Sequence, residues 1–315
     1  MTRQSFYSKS RIKAQVGFTL VELVVALGLG LIITGAALQL FTSGIINTRL
    51  QQAGSELQDS GVFGLDYIAR DIRLANYGNI NQPALTDVVP YAGVVLTSGS
   101  STSNLPFSIS NAVSTTNSGV SNVNESKSDQ LVIQFLAPND MVNCEGLLVF
   151  AGDYIIQRYF LRQDTSGGAT DYALVCDANK PKANRGDVTG WPKLATDIQD
   201  FNGAGEVIMP RVDQVQFLLG TKTTTTFAYY TFDQYLAAAK AARTAVPAQS
   251  VPRVVSIKMS VLVRSKDDTK NNYIDPGQPL QFSNGTVTPK DTKTKYLRRE
   301  YNTIVSLRNG LGEKI

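Results

Sequence analysis

The sequence predicts an α+β protein in which one long N-terminal helix packs on a β-rich, mainly antiparallel head. An apolar segment at residues 18–41 passes without a break into an amphipathic pattern of helical period that continues to Ile72. Later segments instead alternate apolar and polar residues, which is typical of half-buried strands. The chain has 315 residues, enough to bury a sizeable core in one head domain.

The first 17 residues are basic and distort the net charge of the chain. They contain Arg3, Lys9, Arg11 and Lys13 and no acidic residue. Without them the chain has 26 basic and 26 acidic residues. A neutral chain gives no support for direct binding of nucleic acid or anionic lipid.

Residues 18–41 form an apolar run in which Glu22 is the only charged residue. As a helix this run is about 36 Å long, enough to cross a bilayer. The positive-inside rule leaves residues 1–17 in the cytoplasm and sends the rest outward. A signal peptide would have its small-residue cleavage site after the apolar run, whereas Gly17 precedes it. A carboxylate near the centre of a transmembrane helix costs roughly 2.5–3.5 kcal/mol, so Glu22 needs a compensating partner or must be neutralised.

The stretch "GFTLVEL", residues 17–23, resembles the processing site of type IV prepilins and pseudopilins. The resemblance implies that a membrane-embedded prepilin peptidase cuts between Gly17 and Phe18 and methylates the new N-terminus at Phe18. Glu22 then pairs with the N-terminal ammonium of a neighbouring subunit in the filament core. Each charge offsets the cost of removing the other from water, so Glu22 is expected to act in assembly.

The same resemblance sets the domain plan. Residues 1–17 are expected to be a leader that is removed. Residues 18–75 form the long helix, with 18–41 as the transmembrane segment or filament core, and residues 76–315 form the head. The sequence "NYGN" at 76–79 ends the helix.

Four glycines in the apolar part weaken the helix by about 1 kcal/mol each relative to alanine. They are Gly28, Gly30, Gly35 and Gly44. Two interpretations remain open: close packing of helices in the membrane, or a stretch that unwinds on assembly, as the resemblance implies.

Five segments of the head predict strands. They are residues 128–138, 152–163, 172–176, 212–220 and 253–265. Residues 164–171 read as a hairpin loop, residues 299–309 as a last strand and residues 231–245 as an alanine-rich helix.

Two long polar segments are predicted to be loops. Residues 97–128 are rich in Ser, Thr and Asn and predict a solvated surface loop, with contact to a partner or glycan as the alternative. Residues 265–278 gather acids and amides as a calcium loop does, but they lack the spacing and closing glutamate of an EF-hand. No metal or cofactor is therefore expected.

The two cysteines, Cys144 and Cys176, both follow the apolar run. Export of the head places them in an oxidising compartment, where a disulfide is favoured over a pair of buried free thiols. Each lies in or next to a predicted strand, and the hairpin at 152–176 brings the second strand back toward the first. The bond would close a loop of about 33 residues and contribute on the order of 3–4 kcal/mol.

Catalysis has little support in this sequence. It contains no histidine, which removes the commonest general base and metal ligand. No nucleophile motif or glycine-rich phosphate loop is visible either. The chain is therefore expected not to be an enzyme.

Two further stretches resemble the PilW-type minor pilins of type IV pili: residues 65–79, "LDYIARDIRLANYGN", and residues 296–310, "YLRREYNTIVSLRNG". Asn76 stands where that family more often has glycine. The resemblance implies a structural minor pilin that helps prime pilus assembly and lies at or near the tip. Its partners would be other minor pilins, the major pilin and a PilY-type tip adhesin, supporting twitching motility, adhesion and DNA uptake.

Before assembly, the resemblance implies one pass through the inner membrane with a periplasmic head; after assembly, the protein lies at the extracellular pilus tip. Two alternatives remain open at this point. One is a J-type pseudopilin of type II secretion, and the other is a tip adhesin or DNA-binding module. Arg298, Arg299 and Arg308 do not decide between them, because strand arginines are commonly solvated or ion-paired.

Overall fold

The structure, a computed structural model, describes residues 17–180 and 190–310. The leader predicted at 1–17 lies outside the described residues except for Gly17. The chain divides into two units, one ending at Arg49 and the other beginning at Leu50. The predicted fold class is confirmed: a long N-terminal helix with an apolar first part is followed by a mainly antiparallel β head.

Helix α1 (Leu20–Leu74) is one continuous helix of 55 residues, close to the predicted 18–75. From Leu50 onward it belongs to the head unit and buries one face there. The buried positions recur at steps of three or four, as the sequence pattern predicts. They are Ala53, Leu57, Gly61, Gly64, Leu65, Ile68, Ala69 and Ile72.

Asn76 ends α1 in the left-handed backbone conformation, with φ 70°. Asparagine tolerates this conformation, so it replaces the glycine that such helix ends usually need. The Asn76 side-chain nitrogen donates to the carbonyl oxygens of Pro83 (3.1 Å) and Asn309 (2.9 Å). Its side-chain oxygen accepts from the Gly93 N–H at 2.9 Å. One buried amide therefore joins the helix end to three other parts of the head.

Asn309 completes the closure from the other end of the described chain. Its side-chain nitrogen donates to the carbonyl oxygens of residues 73–75, at and just after the end of α1. The last carbonyls of a helix have no partner within it, and this side chain helps to cap them. The two stretches that resemble PilW-type minor pilins, residues 65–79 and 296–310, thus meet in space.

The head contains twelve strands and one further helix among its described residues. In chain order they are β1 (Leu131–Leu136), β2 (Met141–Val142), β3 (Leu148–Val149), β4 (Tyr154–Gln163), β5 (Tyr172–Ala178), β6 (Glu206–Met209), β7 (Val212–Lys222), β8 (Phe227–Tyr230), α2 (Phe232–Thr244), β9 (Arg253–Arg264), β10 (Leu280–Phe282), β11 (Gly285–Val287) and β12 (Arg298–Ser306).

Two four-stranded antiparallel sheets organise these strands. The first sheet has the order β1-β4-β5-β6 and the second the order β12-β9-β7-β8. Two small hairpins, β2–β3 and β10–β11, stand beside them. The main core includes residues of α1, α2 and both sheets, among them Ile68, Phe135, Tyr159, Phe217 and Tyr235.

The prediction that residues 97–128 form a solvated loop is wrong in part. Leu105 and Ala112 are fully buried against Val132 and Ile156 of the first sheet, in a second, smaller core. That face of the sheet is apolar and must be shielded from water. Buried Asn104 satisfies backbone groups instead of solvent: its side-chain nitrogen donates to the carbonyl oxygens of residues 86 and 89.

The predicted strands and the predicted second helix are all observed, with ends displaced by a few residues. The last strand ends at Ser306 and not at residue 309, because a 3₁₀ turn follows at Arg308–Gly310. The short strands β2, β3, β6, β8, β10 and β11 had no sequence prediction. None exceeds four residues, which is too short for an alternating pattern to stand out.

We expect three glycines of α1 to respond differently to alanine. Gly54→Ala adds a methyl with no atom within 4 Å and should raise the free energy of unfolding by about 1 kcal/mol through helix propensity. At Gly61 the new Cβ would clash with Cδ2 of the Tyr301 ring, so Gly61→Ala should lower the free energy of unfolding by roughly 1–3 kcal/mol. Gly64→Ala should cost less than Gly61→Ala, because the obstructing atom is the flexible end of Met209.

Denaturant unfolding of the full chain in detergent, followed by near-UV circular dichroism, measures the three differences. Equal stabilisation by Gly54→Ala and Gly61→Ala would contradict close packing of α1 on β12.

Candidate processing and assembly site

The start of α1 carries a reciprocal capping arrangement between Thr19 and Glu22. The Thr19 N–H and hydroxyl each donate to the Glu22 carboxylate at 3.0 Å, and the Glu22 N–H donates to the Thr19 hydroxyl at 3.3 Å. This is a capping box, which satisfies donors that the first turn of a helix leaves free. Sequence reasoning missed it, although the spacing Thr-x-x-Glu in "TLVE" is its recognised signature.

The capping box gives Glu22 a local role in addition to the role in assembly that the sequence predicts. The carboxylate lies at the positive end of the helix dipole, where an anion is stabilised. It also lies only four residues after Phe18, whose side chain is 89% exposed. If the chain is cut before Phe18, a new ammonium group forms in the turn that precedes this carboxylate.

The part of α1 before Arg49 exposes an almost entirely apolar surface. The side chains of residues 18–41 are all exposed, with Leu20 and Leu31 above three quarters. By length and composition α1 is the one helix of the described residues that could span a membrane. So large an exposed apolar surface requires lipid or a protein partner.

The four glycines of this region lie within an unbroken helix. Within the part of the chain that the structure describes, no atom lies within 4 Å of where a Cβ would stand at Gly28, Gly30, Gly35 or Gly44. Space is therefore left at each position for the close approach of another helix.

Cys144 and Cys176 form a disulfide, as the sequence predicts. Cys144 lies in the turn of the β2–β3 hairpin and Cys176 in the middle of β5. The bond therefore ties a two-stranded hairpin to the first sheet. The Tyr67 hydroxyl of α1 donates to the Cys144 carbonyl oxygen at 3.4 Å, which places the hairpin beside the helix.

A buried polar network lies under this hairpin. The Tyr159 hydroxyl donates to the Asp71 carboxylate at 2.7 Å. The Gln157 amide, oriented with its nitrogen toward Asp71, donates to the same carboxylate at 3.2 Å and accepts from the Cys144 N–H at 3.1 Å. The network joins α1, β4 and the disulfide hairpin. Burial is the largest cause of the change that raises the pKa of Asp71 to about 6.

The arginines of the last strand have different environments. Arg298 is buried and its Nε donates to the Asp213 carboxylate at 2.9 Å, so it is not available to a ligand. Arg264 contacts the other oxygen of Asp213 at 3.2 Å. Arg299 and Arg308 are exposed.

The acidic residues of the loop at 265–278 are engaged in local contacts. Within the described ranges no three His, Cys, Asp or Glu side chains are grouped as metal ligands. Asp268 is instead paired with Lys270 at 2.8 Å, and Asp275 accepts from the Gly277 N–H. These contacts are those of an ordinary polar loop.

We expect Asp71→Asn to stabilise the protein at pH 7.5. The carboxyl has a higher pKa in the folded state than the usual 3.8, so the folded state binds more protons between pH 4 and pH 6. Its contribution to stability therefore falls as pH rises through this interval. Asparagine keeps an acceptor for Tyr159 without the buried charge, and the gain at pH 7.5 should be on the order of 1–2 kcal/mol.

The measurement is the difference in unfolding free energy between variant and wild type from pH 4 to 7.5. Subtracting the wild-type free energy from that of the variant cancels the titration of Asp129 and Glu145, which occurs in both proteins. Burial raises the pKa values of these two groups to about 6 and about 7. Asp66→Asn, an exposed site on the same helix, is the control. A difference that does not vary with pH would contradict a raised pKa at Asp71.

Comparison with known proteins adds three findings. The family model of PilW, type IV pilus-assembly protein W, matches residues 158–309. No curated protein matches the chain. Among solved structures the chain is similar to the type IV-like pilin TTHA1219 from Thermus thermophilus, with 14% sequence identity and a TM-score of 0.40, over 80% of this chain and 97% of that one.

The family match covers the larger, C-terminal part of the head. It begins within β4 and ends at Asn309, the residue that caps the last turn of α1. This match supports a structural role related to pili. Over residues 158–309, this chain matches the PilW family of type IV pilus-assembly proteins.

Proposed function

We propose that this protein is a PilW-type minor pilin that helps prime assembly of a type IV pilus and lies at or near its tip. The observation that carries the proposal is the combination, in one chain, of two independent features. One is an exposed apolar helix start that follows "GFTLVE". The other is a head whose residues 158–309 match PilW.

Processing is the first step of the proposal. The prepilin peptidase cuts between Gly17 and Phe18 and methylates Phe18. No atom of the described residues lies within 4 Å of where a Cβ would stand at Gly17, so this part of the fold makes no demand for glycine there. We therefore attribute the requirement for glycine at position 17 to the active site of the peptidase.

Anchoring and assembly form the second step. Before assembly the apolar half of α1 holds the protein in the inner membrane, with the head in the periplasm. During assembly the Glu22 carboxylate pairs with the Phe18 ammonium of a neighbouring pilin. Both charges are costly alone in lipid, and pairing offsets that cost only when the two subunits are in register.

The head acts as a protein-binding module without turnover. Its partners would be other minor pilins, the major pilin and a PilY-type adhesin, in support of motility, adhesion and DNA uptake. Individual head contacts need only be weak, because helices anchored in one membrane supply a high effective concentration. Direct DNA binding is not part of the proposal, since the chain without its leader is neutral.

We expect Gly17→Val to leave the basic leader attached. Valine should not fit where the peptidase accepts a residue without a side chain. Intact-mass and N-terminal peptide mass spectrometry of membrane-extracted protein should show N-methylated Phe18 in the wild type and peptides of the basic leader still joined to residue 18 in the variant. Gly30→Ala, also without neighbouring atoms, is the control and should be processed normally. A wild-type N-terminus at any other residue would refute the prepilin assignment.

We expect three variants at the helix start to separate capping from charge pairing. Glu22→Ala removes both functions, whereas Glu22→Gln keeps an acceptor for the Thr19 N–H but not the charge. Thr19→Ala removes the hydroxyl contacts and keeps the charge. If pairing controls assembly, both Glu22 variants lose incorporation into sheared pili by at least tenfold while Thr19→Ala is incorporated nearly normally.

Immunoblots of sheared pili and of membranes measure incorporation and total protein in the same cells. Normal incorporation of Glu22→Gln would overturn the charge-pairing role and leave Glu22 as a capping residue. Recovery of the protein with a type II secretion complex, and not with pili, would favour the J-type pseudopilin alternative.

A further inference from the structure

Three of the four edges of the two main sheets are protected. On the β1 edge, loop residues pair with the strand at Val94–Ile133 and Thr115–Gln130. Strands β6 and β8 have only four residues each, and the pairing of β6 with β5 contains a register shift. Short strands, irregular pairing and covering loops are the ways in which proteins prevent unwanted pairing at sheet edges.

The fourth edge, β12, is long and regular. It pairs with β9 over nine residues without a register shift. At its two ends the Ser265 N–H donates to the Leu297 carbonyl oxygen and the Leu307 N–H donates to the Val255 carbonyl oxygen. Odd-numbered residues therefore direct their backbone groups toward β9, and even-numbered residues direct theirs away from it.

The outward backbone groups of β12 are open. They belong to Glu300, Asn302, Ile304 and Ser306, and no described residue of the chain makes a hydrogen bond to them. The last three residues are exposed, and Ile304 has 55% of its surface accessible. Residues 301–306 also contain no charge and no proline, the two residue features that usually blunt an edge.

We propose that the open edge of β12 binds an extended segment of a partner protein, which adds to the second sheet as a fifth strand. The available edge, residues 300–306, is about 23 Å long at 3.3 Å per residue and accommodates about seven residues. The proposal rests on the geometry of the sheet and stands independently of the pilus assignment.

The charges beside this edge define the chemistry of the incoming segment. Arg299 and Arg308 are exposed near its two ends, while Glu300 is already engaged as an acceptor for the Ser283 N–H. The partner segment therefore carries acidic residues at both ends. Its centre is uncharged and β-branched or aromatic, because such side chains cover Ile304 and pair well across strands.

A second copy of this chain does not fit the same edge. If two β12 strands paired in antiparallel orientation, Arg299 of one copy would lie beside Arg308 of the second copy, and the reverse. Parallel pairing would set each arginine against its equivalent. Like charges placed across a strand pair are destabilising, so a heterologous acidic segment is favoured over self-association.

The test uses the full chain in detergent and a fluorescent nine-residue probe, Asp-Glu-Val-Thr-Val-Thr-Val-Glu-Asp, with binding followed by anisotropy. Two further probes carry N-methyl groups on alternate residues, one on the odd set and one on the even set. A strand faces its neighbour with every second N–H, so one methylated probe should bind like the parent and the other at least tenfold more weakly. A probe with lysines at the ends should also bind at least tenfold more weakly.

Two variants locate the site. Ile304→Pro removes one outward N–H without removing a hydrogen bond to β9, and should weaken binding of the parent probe at least tenfold. Ile304→Thr keeps that N–H and a β-branched side chain, and should bind the probe nearly as well as the wild type. Circular dichroism checks that both variants are folded, and the methylated probes on wild-type protein do not depend on either variant.

The proposal is overturned by any of four results. These are no binding of the parent probe at millimolar concentration, equal binding of both methylated probes, equal binding of the lysine probe, and full binding to folded Ile304→Pro. Dimerisation of the wild type that Ile304→Pro abolishes would assign the edge to a second copy and overturn the heterologous partner.

Discussion

The head of this protein depends on the packing of residues 50–74 of α1 into its core. Ile68 and Ile72 are completely buried there, and burying an aliphatic side chain of this size stabilises a fold by roughly 1.5–3 kcal/mol. Gly61 and Gly64 allow the helix to lie directly against Tyr301 and Met209, which come from the last strand and from β6. The head is therefore not a separate domain attached to a stalk, because its core includes the second part of the helix.

Polar contacts determine where the packed part of α1 ends. The Asn309 side chain caps carbonyl oxygens at the end of α1, and the Asn76 side chain, 233 residues away in the chain, donates to the Asn309 carbonyl oxygen. Removing a helix carbonyl from water without a partner costs more than the hydrogen bond contributes when it is made. These hydrogen bonds therefore contribute little net stability, but without them the end of the helix could not be buried. They also link the first and last parts of the head into one cooperative unit.

The two units of the chain have opposite relations to solvent. From Leu50 onward the apolar side of α1 is buried, whereas residues 18–41 leave nearly every apolar side chain exposed. The first unit therefore requires lipid or neighbouring helices to cover it. The head carries the disulfide, buried ion pairs and an apolar core of its own. This division supports the two states proposed for the protein, first a membrane-anchored subunit and then part of a filament.

The sequence by itself determined the long helix, the fold class, the main strands and the pairing of Cys144 with Cys176. These features depend on local periodicity, on composition and on having only two cysteines, all of which can be read along the chain. The sequence also contains the signature of the Thr19–Glu22 capping box, in the spacing Thr-x-x-Glu.

Only the tertiary structure decided the rest. The Ser-rich segment at 97–128 is polar in composition yet shields an apolar sheet face, because the need for that cover arises from strands elsewhere in the chain. The raised pKa of Asp71 and the pairing of Arg298 with Asp213 likewise depend on neighbours distant in sequence. The openness of β12 depends on strand order: the same residues in a central strand would have no free backbone groups. Local patterns specify which elements form, whereas burial and exposure are set by which elements meet.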